Sequence, residues 1–246
     1  MDKKRINKKA IALILVLVII ASILTGILLV AQTIIRYSQI SKGVEVSEKA
    51  YFAAETAIEI AGYDILKNKK NYSDYTLSGV LSEDTNYQVD SIELDSDCPA
   101  PSTQCSSGPI SNTNPWSISL SPGWSFQLNL DINGATYPTS LSISTDDSSS
   151  SELILSSALK TDPPLTWSQT TYSSWPVNLI LSNDYYYKLR INNLRGSGES
   201  INYTITPSSE LVIGLKVQGE GVYSTMLSSY KRIAQSNFPR YQFIKP

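Results

Sequence analysis

Between Lys9 and Arg36 the sequence carries no charge. Within that interval, Ala10 to Ala31 reads A-IALILVLVIIASILTGILLV-A, and only Ser22, Thr25 and Gly26 interrupt the apolar run. About 20 such residues are what a helix needs to cross a hydrocarbon core of roughly 30 Å. A helix of this kind satisfies its own backbone hydrogen bonds, which lipid cannot do. The stretch therefore predicts a membrane-spanning helix, and the remaining residues must fold on one side of it.

The flank predicts which side. Met1 to Ala10 holds Lys3, Lys4, Arg5, Lys8 and Lys9 against Asp2, a net charge of +4. The whole chain is −2, so residues 11–246 carry −6. A basic flank ahead of an apolar span is held in the cytoplasm. The expectation is a single-pass protein of the cell membrane, with a cytoplasmic N-terminus and an acidic extracytoplasmic domain. A secretory signal peptide competes with this reading, but it calls for an apolar core of about 7–15 residues and a small-x-small cleavage site. The core here is longer, and Ala31-Gln32-Thr33 is a poor site.

The chain has no histidine. That excludes a Ser-His-Asp triad, a Cys-His pair and imidazole metal ligands, and with them most acid–base chemistry near neutral pH. A carboxylate-pair glycosidase would survive the test, but the acidic residues after position 80 are scattered. No catalytic, cofactor-binding or metal-binding residue is assigned, no cofactor is expected, and the chain reads as a non-enzyme. Its acidic outer part has no electrostatic footprint for nucleic acid. Cys98 and Cys105, with six residues between them in a Pro- and Ser-rich stretch, suit a disulfide in an oxidising compartment. Two thiolates alone make a poor zinc site.

No proline occurs before Pro99, so the helix has no such break early on, and Gly43 is its one weak point. From Val44 to Lys67 the pattern stays helical. Ala50, Ala54, Ala57, Ala61 and Ile65 share one face, while Glu45, Glu48, Glu55 and Glu59 lie mostly elsewhere. A stripe of small residues lets another helix approach closely; alanine is also simply the best helix former. Packing on partner helices, or on the chain's own β domain, is expected at Ala50, Ala54, Ala57 and Ala61. A helix over residues 11–66 would be about 84 Å long at 1.5 Å per residue.

A short basic leader, a small residue, an uninterrupted apolar helix and a polar continuation into a globular domain resemble the type IV pilins and type II secretion pseudopilins. The junction K-K-A-I-A-L-I-L looks like a prepilin peptidase site, which implies cleavage after Ala10 and Ile11 as the new N-terminus. Ala50 to Ala61, A-Y-F-A-A-E-T-A-I-E-I-A, is similar to the stretch found in PilX-type minor pilins. The resemblance covers roughly the first 66 residues. Two departures stand out: Ala10 replaces the glycine of major pilins, and Leu15 occupies the fifth mature position, where major pilins carry the Glu linked to the neighbour's N-terminal amine. The second departure is similar to some minor, tip-type subunits and argues against a major subunit.

Residues 67–115 read as a polar linker, with a short strand at Tyr87–Leu94 and the Cys98–Cys105 loop. Lys67, Lys69 and Lys70 suit the negative end of the helix dipole. From Trp116 the period becomes two. Trp124, Phe126, Leu128, Leu130 and Ile132 alternate with polar residues, and Asn133-Gly134 is a hairpin signal. Further strands are expected near Leu141 and Ile143, and at Glu152–Leu159, Val177–Leu181, Tyr185–Ile191, Ile201–Ile205 and Leu211–Val222. Strands so spaced suggest an antiparallel sandwich. Asp131-Ile-Asn-Gly134 superficially resembles a calcium loop, but Ala135 and Thr136 do not continue the pattern. Trp116, Trp124, Trp167 and Trp175 are either an exposed sugar-binding platform or core and rim residues.

The expected fold class is α+β: a long N-terminal transmembrane helix, then a C-terminal antiparallel β-sheet or β-sandwich domain. The segments are a leader at 1–10, a helix at 11–66 that spans the membrane in its first 21 or so residues, a linker at 67–115 and a β-rich exported domain at 116–246. The expected function is that of a minor pilin or pseudopilin in a type IV or type II secretion-like filament. Its partners would be the membrane, other pilins through the N-terminal helix, prepilin peptidase, and a surface or glycan ligand of the β domain. The alternatives are a membrane-anchored β-sandwich adhesin or carbohydrate-binding module, and an exported hydrolase using carboxylates.

Overall fold

The computed structural model describes residues 3–99, 105, 108–161, 164–224 and 229–245, with side chains from Ala12 onward. The fold is α+β: one long N-terminal helix, α1 (Lys3–Leu66), followed by antiparallel β-sheets. Contacts divide the chain into two compact units, residues 1–49 and 50–246.

The first unit is helix alone. Its backbone is helical from Lys3, within the segment expected as leader, and passes Gly43 without a break. Among the described residues α1 alone is long and apolar enough to cross a membrane, with a window of mean hydropathy 3.2 that is not buried at all. This is compatible with single-pass anchoring.

The second unit holds the end of α1 and, among the described residues, every strand. β1 (Ser78–Ser82) and β2 (Thr85–Asp95) come first, then β3 (Trp116–Leu120), β4 (Ser125–Leu130), β5 (Ser140–Thr145) and β6 (Ser151–Leu159). β7 (Ser168–Tyr172), β8 (Val177–Ile180), β9 (Tyr185–Asn193) and β10 (Ile201–Pro207) follow. β11 (Gly214–Ser224), β12 (Ser229–Pro239) and β13 (Tyr241–Ile244) close the chain.

Two sheets, ordered β3-β10-β5-β8 and β13-β4-β9-β6-β7, form the sandwich. Period-two burial explains them. Trp116, Ile118 and Leu120 of β3 face inward with Ile201, Tyr203 and Ile205 of β10, and Phe126, Leu128 and Leu130 of β4 join them in one cluster. Trp116 stands edge-on to Phe126, centroids 5.1 Å apart, and to Tyr241 at 5.2 Å; such pairs add stability beyond the area they bury. The strands expected at 152–159, 177–181, 185–191 and 201–205 all lie in this sandwich.

Two sequence expectations fail here. Asn133-Gly134 does not close a hairpin, because β4 and β5 lie in different sheets. The pair makes a turn at the crossing between layers: the Ala135 amide donates to the Ile132 carbonyl at 3.3 Å, and Gly134 has a φ of +88°. A side chain at Gly134 would strike Asn71, 2.0 Å away, so the glycine answers both to the turn and to a neighbour distant in sequence. Nor are residues 67–115 a linker. They supply β1 and β2, which join β11 and β12 in a third sheet ordered β1-β2-β11-β12. β2 pairs with β11 from Tyr223↔Thr85 to Gly214↔Asp95, with a bulge at Gln218/Gly219, and β11 pairs with all of β12. β2 was legible only as a short strand because its burial alternates between half-buried and exposed, so few strongly apolar residues mark it.

Cys98 and Cys105 form a disulfide with Cα atoms 6.1 Å apart, anchored where Cys98 N–H donates to Gly108 O at 3.0 Å. Closing so short a loop stabilises by roughly 2–3 kcal/mol in the chain-entropy model. Cys98→Ser with Cys105→Ser should lower unfolding free energy by about that amount. Native protein should resist thiol labelling until reductant is added, and free labelling of both thiols would refute the bond.

Candidate functional site

The expected helix-packing residues have a partner within the chain. Ala50, Ala54, Ala57 and Ala61 are fully buried, as is Ala53 beside them. What they meet is β11. A methyl on Gly221 would lie 1.8 Å from the Ala50 carbonyl oxygen and 2.7 Å from the Ala54 nitrogen; one on Gly219 would lie 2.3 Å from the Ala54 oxygen. Helix backbone and strand backbone approach closely because the helix face carries only methyls there and the strand carries no side chain at Gly219 and Gly221. Gly62, about two turns beyond Ala54, faces the Phe238 ring of β12. The stripe is therefore a seat for the chain's own sheet, the second of the two packing partners expected for it. The opposite face carries Phe52 and Tyr63, exposed by 60% and 62%.

The end of α1 is held by charge. Lys69 adopts the left-handed conformation, φ +57°, which bends its ammonium back to donate to the Leu66 carbonyl at 2.8 Å and to Asp131 Oδ2 at 2.7 Å. Arg240, between β12 and β13, grips the same carboxylate, with Nε at 2.9 Å and Nη2 at 2.6 Å. Asn133 Nδ2 donates to the Lys69 carbonyl at 2.8 Å, and Arg240 N–H to Ile213 O at 2.7 Å. The Asp131 side chain is only 7% exposed. Burial pushes the Lys69 ammonium below its usual pKa, and Asp131 opposes that shift. One carboxylate thus ties together the helix end, the end of β4 in the sandwich and the β12–β13 junction. Its partners lie 62 and 109 positions away, which is why the sequence carries no signal of the node beyond three lysines at a helix end. With both oxygens held by cations, Asp131 is not free to ligate calcium, and among the described residues no three Cys, Asp or Glu side chains converge as a metal site.

Over this node opens a groove of about 650 Å³. Its floor is the outer face of β4 and β9, where Gln127 and Asn129 stand beside Lys188. One wall is α1, with Glu59 and Tyr63; the other carries Trp167, over whose ring the Lys188 ammonium sits 4.0 Å from the centroid. Lys67, Lys69, Lys188 and Arg240 face Glu59 and Asp131, a net charge of +2 in a chain that is −2 overall.

The four tryptophans do not form a platform. Trp116 is in the core. Trp175 donates to the Ser151 carbonyl at 3.2 Å and packs on Tyr203. Trp124 is half-buried, and Trp167 stands on the groove. The described backbone of Ala10 and Ile11 is helical, and their side chains lie outside the described residues.

No protein-family model matches the chain. No curated protein matches it either. Among solved structures it is similar to a chain from the structure of manganese lipoxygenase of Gaeumannomyces graminis, determined with part of zonadhesin of Komagataella pastoris. The identity is 14% over 70% of this chain, which spans 58% of the matched one, and the TM-score is 0.18. A likeness so low carries no functional argument.

Proposed function

We propose that the chain is a minor pilin or pseudopilin, a structural subunit of a type IV or type II secretion-like filament that displays its β domain outside the cell. One observation carries the reading: among the described residues nothing covers the apolar span. Leu13, Leu17, Ile23, Leu28 and Ile34 are 55–70% exposed, in round figures, and so large an apolar surface needs lipid or other helices against it. Lipid covers it while the subunit waits in the membrane. In a filament, the same faces of neighbouring helices cover it instead, so extraction exchanges one apolar contact for another. The basic leader and the Ala10–Ile11 junction supply the processing signal. Leu15 in place of Glu favours a minor role over the shaft.

Mass spectrometry on protein from producing cells should find Ile11 at the N-terminus, and sheared surface filaments should contain the chain. An intact Met1 in cells with active prepilin peptidase, together with absence from sheared filaments, would leave a plain membrane anchor.

A further inference from the structure

We propose that the groove between the end of α1 and the β4–β9 face binds a carboxylate-bearing saccharide. The inference rests on the outward display of the β domain and not on filament assembly. Three kinds of group meet in the groove, and each matches one part of such a ligand. Trp167 and Tyr63 offer aromatic surface for the C–H face of a sugar ring. Gln127 and Asn129 offer amides for hydroxyls, Gln127 Nε2 already donating to Asn129 Oδ1 at 2.9 Å. Lys188, with Lys67 at the rim, offers cations for the carboxylate. Lys69 and Arg240 are committed to Asp131 and hold the floor rigid beneath them. A volume near 650 Å³ falls within the range of sites for small ligands.

An acidic peptide fits less well. Extended peptides bind by adding a strand to a sheet edge, but β4 is flanked by β13 and β9, so its backbone groups are spent in the ladder. Amphipathic helical peptides need a continuous apolar trough; here Leu66, Leu165 and Phe238 stand apart around a floor of Gln127, Asn129 and Lys188. Recognition here falls to side chains alone, in an arrangement suited to a ring that is apolar on its faces and polar at its rim.

The test uses the full chain purified in detergent micelles and titrated calorimetrically with trigalacturonate, neutral galactotriose and hexaglutamate. Trigalacturonate should bind at least about tenfold more tightly than either control. Trp167→Ala and Lys188→Gln should each weaken it by about tenfold or more, and Lys188→Arg, which keeps the charge and the ring contact, should retain it. Both weakened positions are partly exposed, and an unchanged melting curve verifies that the variants fold. Should either misfold, Tyr63→Ala on the exposed helix wall takes its place. No trigalacturonate binding, binding indifferent to these substitutions, or equal binding of hexaglutamate would each overturn the proposal. None of these outcomes touches the filament reading, which is judged by the Ile11 terminus.

Discussion

Gly221→Val should cost the β domain more than about 3 kcal/mol, a fall in Tm of roughly 10 °C for a domain of this size. A β-carbon at that position would sit 1.8 Å from the Ala50 carbonyl oxygen, and backbone cannot yield as a side chain does. Accommodation means lifting α1 off β11, which uncovers Ala50, Ala54 and Ala57 along with the apolar strand face of Leu215 and Val217. Ala54→Trp should do the same from the helix side. Gly43→Ala is the control: a side chain there meets nothing within 4 Å, and alanine should leave stability unchanged or raise it by up to about 1 kcal/mol. Thermal melts of the three variants decide the matter, and a Gly221→Val protein that melts like wild type would mean the helix is not seated on the sheet. The result bears on how assembly defects are read. A bulky residue at Ala54 or Ala57 that excludes the chain from filaments reports first on folding. An assembly surface should be sought instead on the exposed side, at Phe52 and Tyr63.

Arg240→Met should cost about 3–5 kcal/mol, because it leaves a buried carboxylate short of its bidentate partner. The effect should be shared by three elements at once, since Asp131 joins the helix end, the sandwich and the β12–β13 junction. Removing all three charges, with Asp131→Leu, Lys69→Met and Arg240→Met together, should recover much of the loss, as replacing a buried ionic cluster by apolar side chains of similar size often does. Denaturant melts of the single and triple variants measure this. A loss under about 0.5 kcal/mol for Arg240→Met would place the node in the class of solvated surface pairs.

The strands of the sandwich were legible because their burial is one-sided. In W-S-F-Q-L-N-L apolar and polar residues alternate, and the structure buries Phe126, Leu128 and Leu130 of the apolar set; in Y-Y-Y-K-L-R-I it buries Tyr187, Leu189 and Ile191, with Tyr186 buried as well. Lys69 at the helix end was legible as a charge suited to the dipole, and it does bond the Leu66 carbonyl. β2 and β12 were not so legible: each is half-buried or exposed along nearly its whole length, and a strand held mainly by its backbone ladder leaves little pattern in its side chains. The groove was invisible for a related reason. Trp167, Lys188, Tyr63 and Asn129 come from four separate parts of the chain, and no local spacing announces that they meet.

The sequence by itself determined the apolar helix, the α+β class and the disulfide, because each depends on composition or on spacing within a few residues. Tertiary structure alone decided what the alanine stripe touches, that Asn133-Gly134 crosses between sheets, and that Asp131 gathers Lys69 and Arg240. A small-residue face specifies close approach without naming the partner. A turn specifies a change of direction without naming the layer it leads to. A carboxylate finds its cations only once the chain has brought together residues up to 109 positions apart.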